Sequence, residues 1–307
     1  AVAVFMVLRT SDNGDGLVSY AVPSSNNEYL FYKSGDHNSY ISGNNTDLNV
    51  GYNDGSWKIF AHQWRNSDGR LYLHIDGTEE ASTTHQSGTS LISNGSLAIG
   101  GEQDAVDGGY TAGQDFDGDI AELIMYGSSL KQAERVVIEN YLAEKYNLNG
   151  NLATDRYIPD DATYIIKLSG VGRESDGTNK LCSDGFVVTE NGNFDIGDYI
   201  FAAYDGSANS INSAPSVVHG EIQSAWNRNW YLDKSGTAVD AKIAFDFSEG
   251  INGDYPANIG NYRLLYKANL GDSYDTISTD GRGVQNGDQI YFAVSDASFS
   301  DGYYTLG

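Results

Sequence analysis

The segment Glu102-Gln-Asp-Ala-Val-Asp107, followed by Asp115-Phe-Asp-Gly-Asp119, gathers carboxylates around Gly108, Gly109 and Gly113. Calcium is a hard cation that takes about six to eight oxygen ligands, and a flexible acidic loop can wrap one. Asp104, Asp107, Asp117 and Asp119 are therefore the candidate calcium ligands. The run Asp12-Asn-Gly-Asp-Gly16 has a similar composition but no downstream bidentate Glu, so it reads as a hairpin turn. Retaining glycoside hydrolysis needs two carboxyl groups about 5–5.5 Å apart on a rigid wall. Glu102, Asp104 and Asp107 sit instead in a Gly-flanked loop, which speaks against a catalytic pair. Glu79-Glu80 follow a turn and read as solvated.

The other reactive side chains point away from catalysis. His37, His62, His74, His85 and His219 show no metal-ligand spacing. His62 and His74 lie on strands expected to pair, which predicts a cross-strand contact between them rather than zinc. Cys182 is the only cysteine, so neither an intrachain disulfide nor a thiolate zinc cluster can form; with only Lys180 nearby, it reads as an inert thiol. No nucleophile elbow and no phosphate-binding glycine loop occur. Tyr40, Tyr52 and Tyr110 lie in Gly/Asn/Asp-rich stretches and are predicted to be exposed. An exposed aromatic face can stack on the apolar face of a pyranose while Asp and Asn bond its hydroxyls, so these three are the candidate ligand-binding residues. Trp57, Trp226 and Trp230 are expected in cores.

The elements that must position these residues are strands. The chain carries 36 Gly and only 4 Pro among 307 residues, with 22 Tyr, a composition of many tight turns between short strands. Residues 1–125 alternate strand-like runs with Gly/Asn/Asp turns: Ala1–Leu8, Leu17–Val22, Glu28–Lys33, Trp57–Trp64, Arg70–Ile75, Ser96–Gly100 and Asp119–Tyr126. One helix follows, N-capped by Ser129 with Gln132 completing a capping box, and carrying Ala133, Val137 and Tyr141 on one row. It is expected to lie on the first sandwich and to stop near Asn149-Gly150. Residues 151–162 read as a linker, and 163–307 as a second all-β domain with turns such as Asn252-Gly253.

Trp57-Lys-Ile-Phe-Ala-His-Gln-Trp64 with Gly69-Arg-Leu-Tyr-Leu-His-Ile-Asp-Gly77 resembles the central hairpin of laminin-G/concanavalin-A-like jelly rolls. Phe116–Tyr126 with the following helix resembles their closing strand and helix in bacterial members. The resemblance covers about 1–148 and implies a fold that hosts lectins, adhesins and glycosidases alike. Similar domains often hold calcium near the closing strand, which singles out Asp117 and Asp119. Gly170–Glu174, Asn229–Leu232, Ala244–Ser248, Tyr262–Leu265 and Ser300–Leu306 resemble a β-module of bacterial surface proteins. Such jelly rolls have a strand before the one that Ala1–Leu8 resembles. Its lack implies that Ala1–Leu8 is an open edge, an association hazard that strand exchange with a neighbour removes. The chain starts without Met, as expected of a piece cut from a longer precursor, and no basic segment precedes the apolar opening to make it a signal peptide.

The formal charge, 18 basic against 42 acidic residues or −24, excludes a phosphate-backbone partner. No apolar stretch reaches the roughly 20 residues of a membrane span. The sequence thus predicts an all-β protein, a jelly roll (1–150) plus an immunoglobulin-like sandwich (163–307). Its expected role is non-enzymatic, extracellular and bacterial: glycan or surface-polymer binding at the 102–119 rim with calcium as structural ion. The alternatives are a subunit self-assembling through the edge strand and, third, a glycoside hydrolase.

Overall fold

The computed structural model describes residues 1–14, 16–179, 185–237, 239–248 and 258–307. Cys182, its neighbour Lys180, Asp15 of the Asp12–Gly16 run and the Asn252-Gly253 turn lie outside the described residues. Contacts divide the chain into two units, residues 1–130 with 146–154, and residues 131–145 with 155–307.

The first unit is a sandwich of ten strands: β1 (Val2–Thr10), β2 (Val18–Val22), β3 (Ser25–Tyr32), β4 (Asn38–Ile41), β5 (Asn44–Asp47), β6 (Lys58–Arg65), β7 (Arg70–Ile75), β8 (Thr78–Thr84), β9 (Ser96–Ile99) and β10 (Gly118–Tyr126). One sheet runs β10-β1-β6-β7-β8, the other β5-β4-β3-β2-β9. Period-two alternation sends Val2, Val4, Met6 and Leu8 of β1 into one core with Phe60, Trp64, Leu71 and Leu73 of the same sheet and Val18, Tyr29, Phe31 and Ile41 of the other. This is the all-β, jelly-roll class the sequence predicts.

β1 is not an edge. It pairs with β10 on one side and β6 on the other, so strand exchange through Ala1–Leu8 loses its basis. Glu79 and Glu80 are exposed, as expected, but lie on edge strand β8. That strand and β5 are polar edges that apolar alternation could not reveal.

His62 and His74 do not meet. Their strands are paired, but His62 lies opposite Leu73 and His74 opposite Ala61, so the two rings leave opposite faces. His62 instead crosses the core. Its Nδ1 lies 3.1 Å from the Tyr29 hydroxyl and its Nε2 2.9 Å from Ser39 Oγ. Ser39 Oγ is also 3.1 Å from His37 Nε2, whose Nδ1 is 3.3 Å from the Tyr52 hydroxyl. A hydroxyl has one proton, so Ser39 donates to one imidazole and accepts from the other. The chain Tyr29–His62–Ser39–His37–Tyr52 is thereby satisfied with both imidazoles neutral. Burial pushes the His37 pKa down to about 3, opposed by the charge of Asp47, and pushes His62 well below its ordinary value, with His37 adding to the effect.

The second unit has a seven-stranded sheet including Ile166–Glu174, Tyr199–Tyr204, Trp230–Ser235 and Gly302–Leu306, and a four-stranded sheet including Phe186–Glu190, Ala241–Asp246 and Gln289–Val294. Trp226 and Trp230 lie in the core between them with Phe186, Phe245 and Phe292. The helix α1 (Gln132–Tyr146) falls with this unit up to Lys145, while Tyr146 falls with the first unit and donates its hydroxyl to Ala121 O at 3.1 Å. Its Ala133, with Val136, Val137 and Tyr141, packs on Tyr157, Tyr199, Phe201, Tyr231 and Tyr303. The apolar row was legible; the sheet it covers was not. Ser129 is not the cap. The N–H of Lys131 donates to Glu134 Oε2 at 2.7 Å and that of Gln132 to Asp176 Oδ2 at 2.9 Å. Nor is 151–162 a free linker, since Tyr157 is buried and donates its hydroxyl to Tyr164 O at 2.6 Å.

Candidate functional site

Gln103 anchors the loop that follows β9. Its Nε2 donates to Ser19 O at 2.8 Å and Ser96 O at 2.7 Å, its Oε1 accepts from Ser96 Oγ at 2.8 Å, and its backbone N–H donates to Ser19 Oγ at 3.2 Å. With Gln103 fully buried, the loop is fixed on both sides of Glu102-Gln103-Asp104. Gly16 packs so closely that a Cβ there would lie 2.3 Å from the Glu102 nitrogen, so only glycine fits beneath the loop.

Oxygens converge around Glu102, which is 3 % exposed. The Asn27 side-chain amide donates to Glu102 Oε1 at 3.0 Å and to Asn26 O at 3.2 Å, which ties the β2–β3 hairpin to the loop. Glu102 Oε2 and Gln114 Oε1 are both buried and have no hydrogen-bond partner among the described residues. Gln114 is held next to Glu102, accepting the Glu102 N–H on its carbonyl at 3.1 Å, while its Nε2 donates to the Tyr32 hydroxyl at 3.3 Å. Asn26 Nδ2 donates to Asp104 Oδ1 at 2.8 Å. Burial raises the Glu102 carboxyl pKa, and the neighbouring Asp104 charge raises it further. A buried unpartnered oxygen costs roughly 1–3 kcal/mol.

Tyr40 stands on β4 half-buried, its pKa raised by burial and then by Tyr32 and Glu102, which places all three in one neighbourhood. Tyr110 is 56 % exposed, and a methyl group at Gly101 would touch its ring at 3.7 Å. Tyr52 corrects the expectation of exposure: it is 3 % exposed, at the end of the core histidine chain, and presents no face to a ligand. Trp57 is half-buried rather than core, with the Arg9 guanidinium 4.9 Å from its ring centre.

The four predicted calcium ligands are not brought together. Among the described residues no three His, Cys, Asp or Glu side chains meet in a metal-binding group. Asp119 pairs with Arg9 at 2.7 Å, Asp117 is exposed and accepts the Thr10 hydroxyl on its backbone oxygen, and Asp107 is exposed on a turn. Only Asp104 lies at the oxygen cluster. The residues missed are Glu102, Gln114, Asn26 and Asn27. Most of these donors are amides, and the hairpin that brings Asn26 and Asn27 is remote in sequence, so counting carboxylates in one loop could not find them. The alternation of Glu102 and Asp104 about a buried Gln was the available signal.

A family model described as the Pentaxin family matches residues 4–157, half of the chain. Serum amyloid P-component of Rattus norvegicus is 35% identical over 129 residues, covering 41% of this chain and 56% of that protein. The neuronal pentraxin receptor of Homo sapiens is 30% identical over 139 residues, covering 44% of this chain and 28% of its own. The chain thus spans about half, or less, of the length of these curated relatives. Among solved structures, a heptameric SAP-like pentraxin from Limulus polyphemus is similar at a TM-score of 0.41 with 19% identity, covering 45% of this chain and 69% of that one.

Proposed function

The chain belongs to the Pentaxin family through residues 4–157, and from that premise we propose that its first unit is a non-enzymatic binding module that takes glycans through a calcium ion. The observation that carries this reading is the pair of buried oxygens, Glu102 Oε2 and Gln114 Oε1, that have no hydrogen-bond partner among the described residues, beside Asp104, Asn26 and Asn27. Glu102, Gln114 and Asn27 would hold the ion, with Asp104 and Asn26 beside them. Bound there, calcium would supply a positive centre with coordination sites left for hydroxyl oxygens of a ligand. Tyr40 and Tyr32 flank the same cluster and offer hydroxyls and ring faces, and Tyr110 offers an exposed ring nearby.

The protein's charge of −24 favours neutral glycans over polyanions away from the ion. No catalysis is assigned: Asp104 is tied to Asn26, and Asp107 is exposed on a turn, so neither is presented as a second carboxyl for hydrolysis. We read the second unit as a presenting module of the kind found in surface proteins, on its sequence pattern. An extracellular, bacterial placement rests on composition.

Calcium titration by calorimetry, with a glycan array run with and without chelator, tests the reading. Glu102→Gln and Gln114→Ala should each weaken calcium binding by about tenfold or more, equal to roughly 1.4 kcal/mol. The ion competes with the proton that the raised pKa of Glu102 favours, so affinity should rise with pH through that carboxyl's titration and be lost in acid. A protein that takes up no calcium, and an array without chelator-sensitive spots, would count decisively against it.

A further inference from the structure

Beside the oxygen cluster lies a groove of about 410 Å³ between two tight turns. One wall is the β2–β3 hairpin turn, where Val22 pairs with Ser25 and Pro23-Ser24 form the bend. The other is the turn at 105–108, closed by reciprocal bonds between Ala105 and Gly108 (N–H to O at 3.1 Å each way) and pinned to β9 by the Asp107 N–H donating to Ser96 Oγ at 2.7 Å. Both walls are rigid for reasons of local chemistry: a proline bend on one side, a doubly bonded turn on the other.

What the walls present is mixed. Val106 stands at the bend of its turn, 37 % exposed, where a polar residue would be ordinary. Pro23 is exposed opposite it, and Ser24 is exposed beside Pro23. Ser25 Oγ, buried at the groove, has no hydrogen-bond partner. Asn26 and Asp104 line the groove and also belong to the oxygen cluster, so the two are continuous.

We propose that this groove is a second saccharide subsite, taking the neutral sugar unit next to the one held at the calcium ion. Val106 and Pro23 contact the apolar face of the ring, while the exposed Ser24 meets its hydroxyls. A polyanionic unit is disfavoured, because the groove brings Asp104 and no basic side chain, in a protein of net charge −24. This inference rests on the calcium-dependent glycan reading above and adds the length of glycan that the site recognises.

The test uses the full chain with saturating calcium and a panel of probes: methyl glycosides of mannose, galactose and N-acetylglucosamine, and the corresponding disaccharides. The readout is the ratio of disaccharide to monosaccharide affinity, with calcium affinity followed in parallel. For the sugar that binds, the disaccharide should be held about tenfold tighter or more. Ser24→Trp, which fills the groove, should bring the ratio to about one, and the milder Val106→Ala should reduce it severalfold, both with calcium affinity unchanged. A ratio near one in the natural chain, or one that survives Ser24→Trp, overturns the subsite while leaving the calcium site standing. If the calcium-loaded protein takes none of the monosaccharides or disaccharides, the glycan reading falls and the groove assignment falls with it.

Discussion

In the first unit the sandwich core keeps His37 and His62 neutral among Phe31, Phe60, Tyr29 and Tyr52. In the second, Asp233 on the seven-stranded sheet accepts the Ile158 N–H at 2.5 Å; burial raises its pKa to about 7, with Asp301, Asp155 and Asp160 adding to the effect. Burial disfavours charge in both places, but the neutral form is the deprotonated one for a histidine and the protonated one for an aspartic acid. The two halves of one chain therefore respond to acid in opposite directions. Desolvation alone gives no sign of pH response; the identity of the buried group does.

The largest effect expected is acid loss of the first unit. An imidazole depressed from 6.5 to about 3 contributes stability that is complete above pH 6.5 and lost as pH falls toward 3. Each tenfold change in a protonation equilibrium is worth about 1.4 kcal/mol, so His37 alone amounts to several kcal/mol, and His62, also lowered by burial, acts in the same direction. Hydrogen exchange at pH 7 and pH 4.5 should show protection falling across β3, β4 and β6 while the second unit keeps its own. Equal loss in both units would remove the contrast.

Next in size is Ser39→Ala, which leaves an Nε2 on each core histidine without a partner. It should destabilise the first unit by roughly 1–3 kcal/mol at pH 7 and leave the second unit's denaturation midpoint in place. A neutral outcome would mean that the hydroxyl relay is not what keeps the imidazoles satisfied.

Asp233→Asn tests the other half. A carboxyl raised from 3.8 to about 7 contributes stability that is complete below pH 3.8 and lost as pH rises through 7. The amide can still accept the Ile158 N–H, so the variant should be more stable than the natural chain at pH 8, by roughly 1–2 kcal/mol. Its second-unit stability should be flat between pH 4 and 7 in urea titrations. A variant that is less stable at pH 8 would show that the ionised carboxylate is itself needed.

The smallest effect belongs to the surface. Arg9→Ala breaks the exposed Arg9–Asp119 pair and should change first-unit stability by at most about 1 kcal/mol, without altering calcium uptake. A loss of calcium affinity in this variant would return Asp119 to the set of ligands.

Strands rich in apolar residues were legible, β1, β6 and β7 above all; β1 and β6 are buried on both faces, and β1 stands out as an unbroken apolar run rather than as an alternation. The polar strands β4, β5 and β8 were not, since their pairing is set by neighbours rather than by their own apolar content. Tyr110 was found as a surface aromatic by its polar, Gly-rich surroundings, whereas Tyr40, in similar surroundings, is half-buried on β4. Tyr52 has the same surroundings yet is core, because its hydroxyl completes a hydrogen-bond chain that only folding assembles.

The amino-acid order by itself determined that this chain is all-β with one amphipathic helix and that it carries a net charge of −24. Those properties are local or additive, and periodicity and charge report them directly. Tertiary structure alone decided that β1 is interior, that the helix covers the second unit's sheet, and that Glu102 and Asp104 meet Asn27 and Asn26 from a distant hairpin. Each of these depends on which strands become neighbours. A donor oxygen carries no mark in the sequence of the partner it will face.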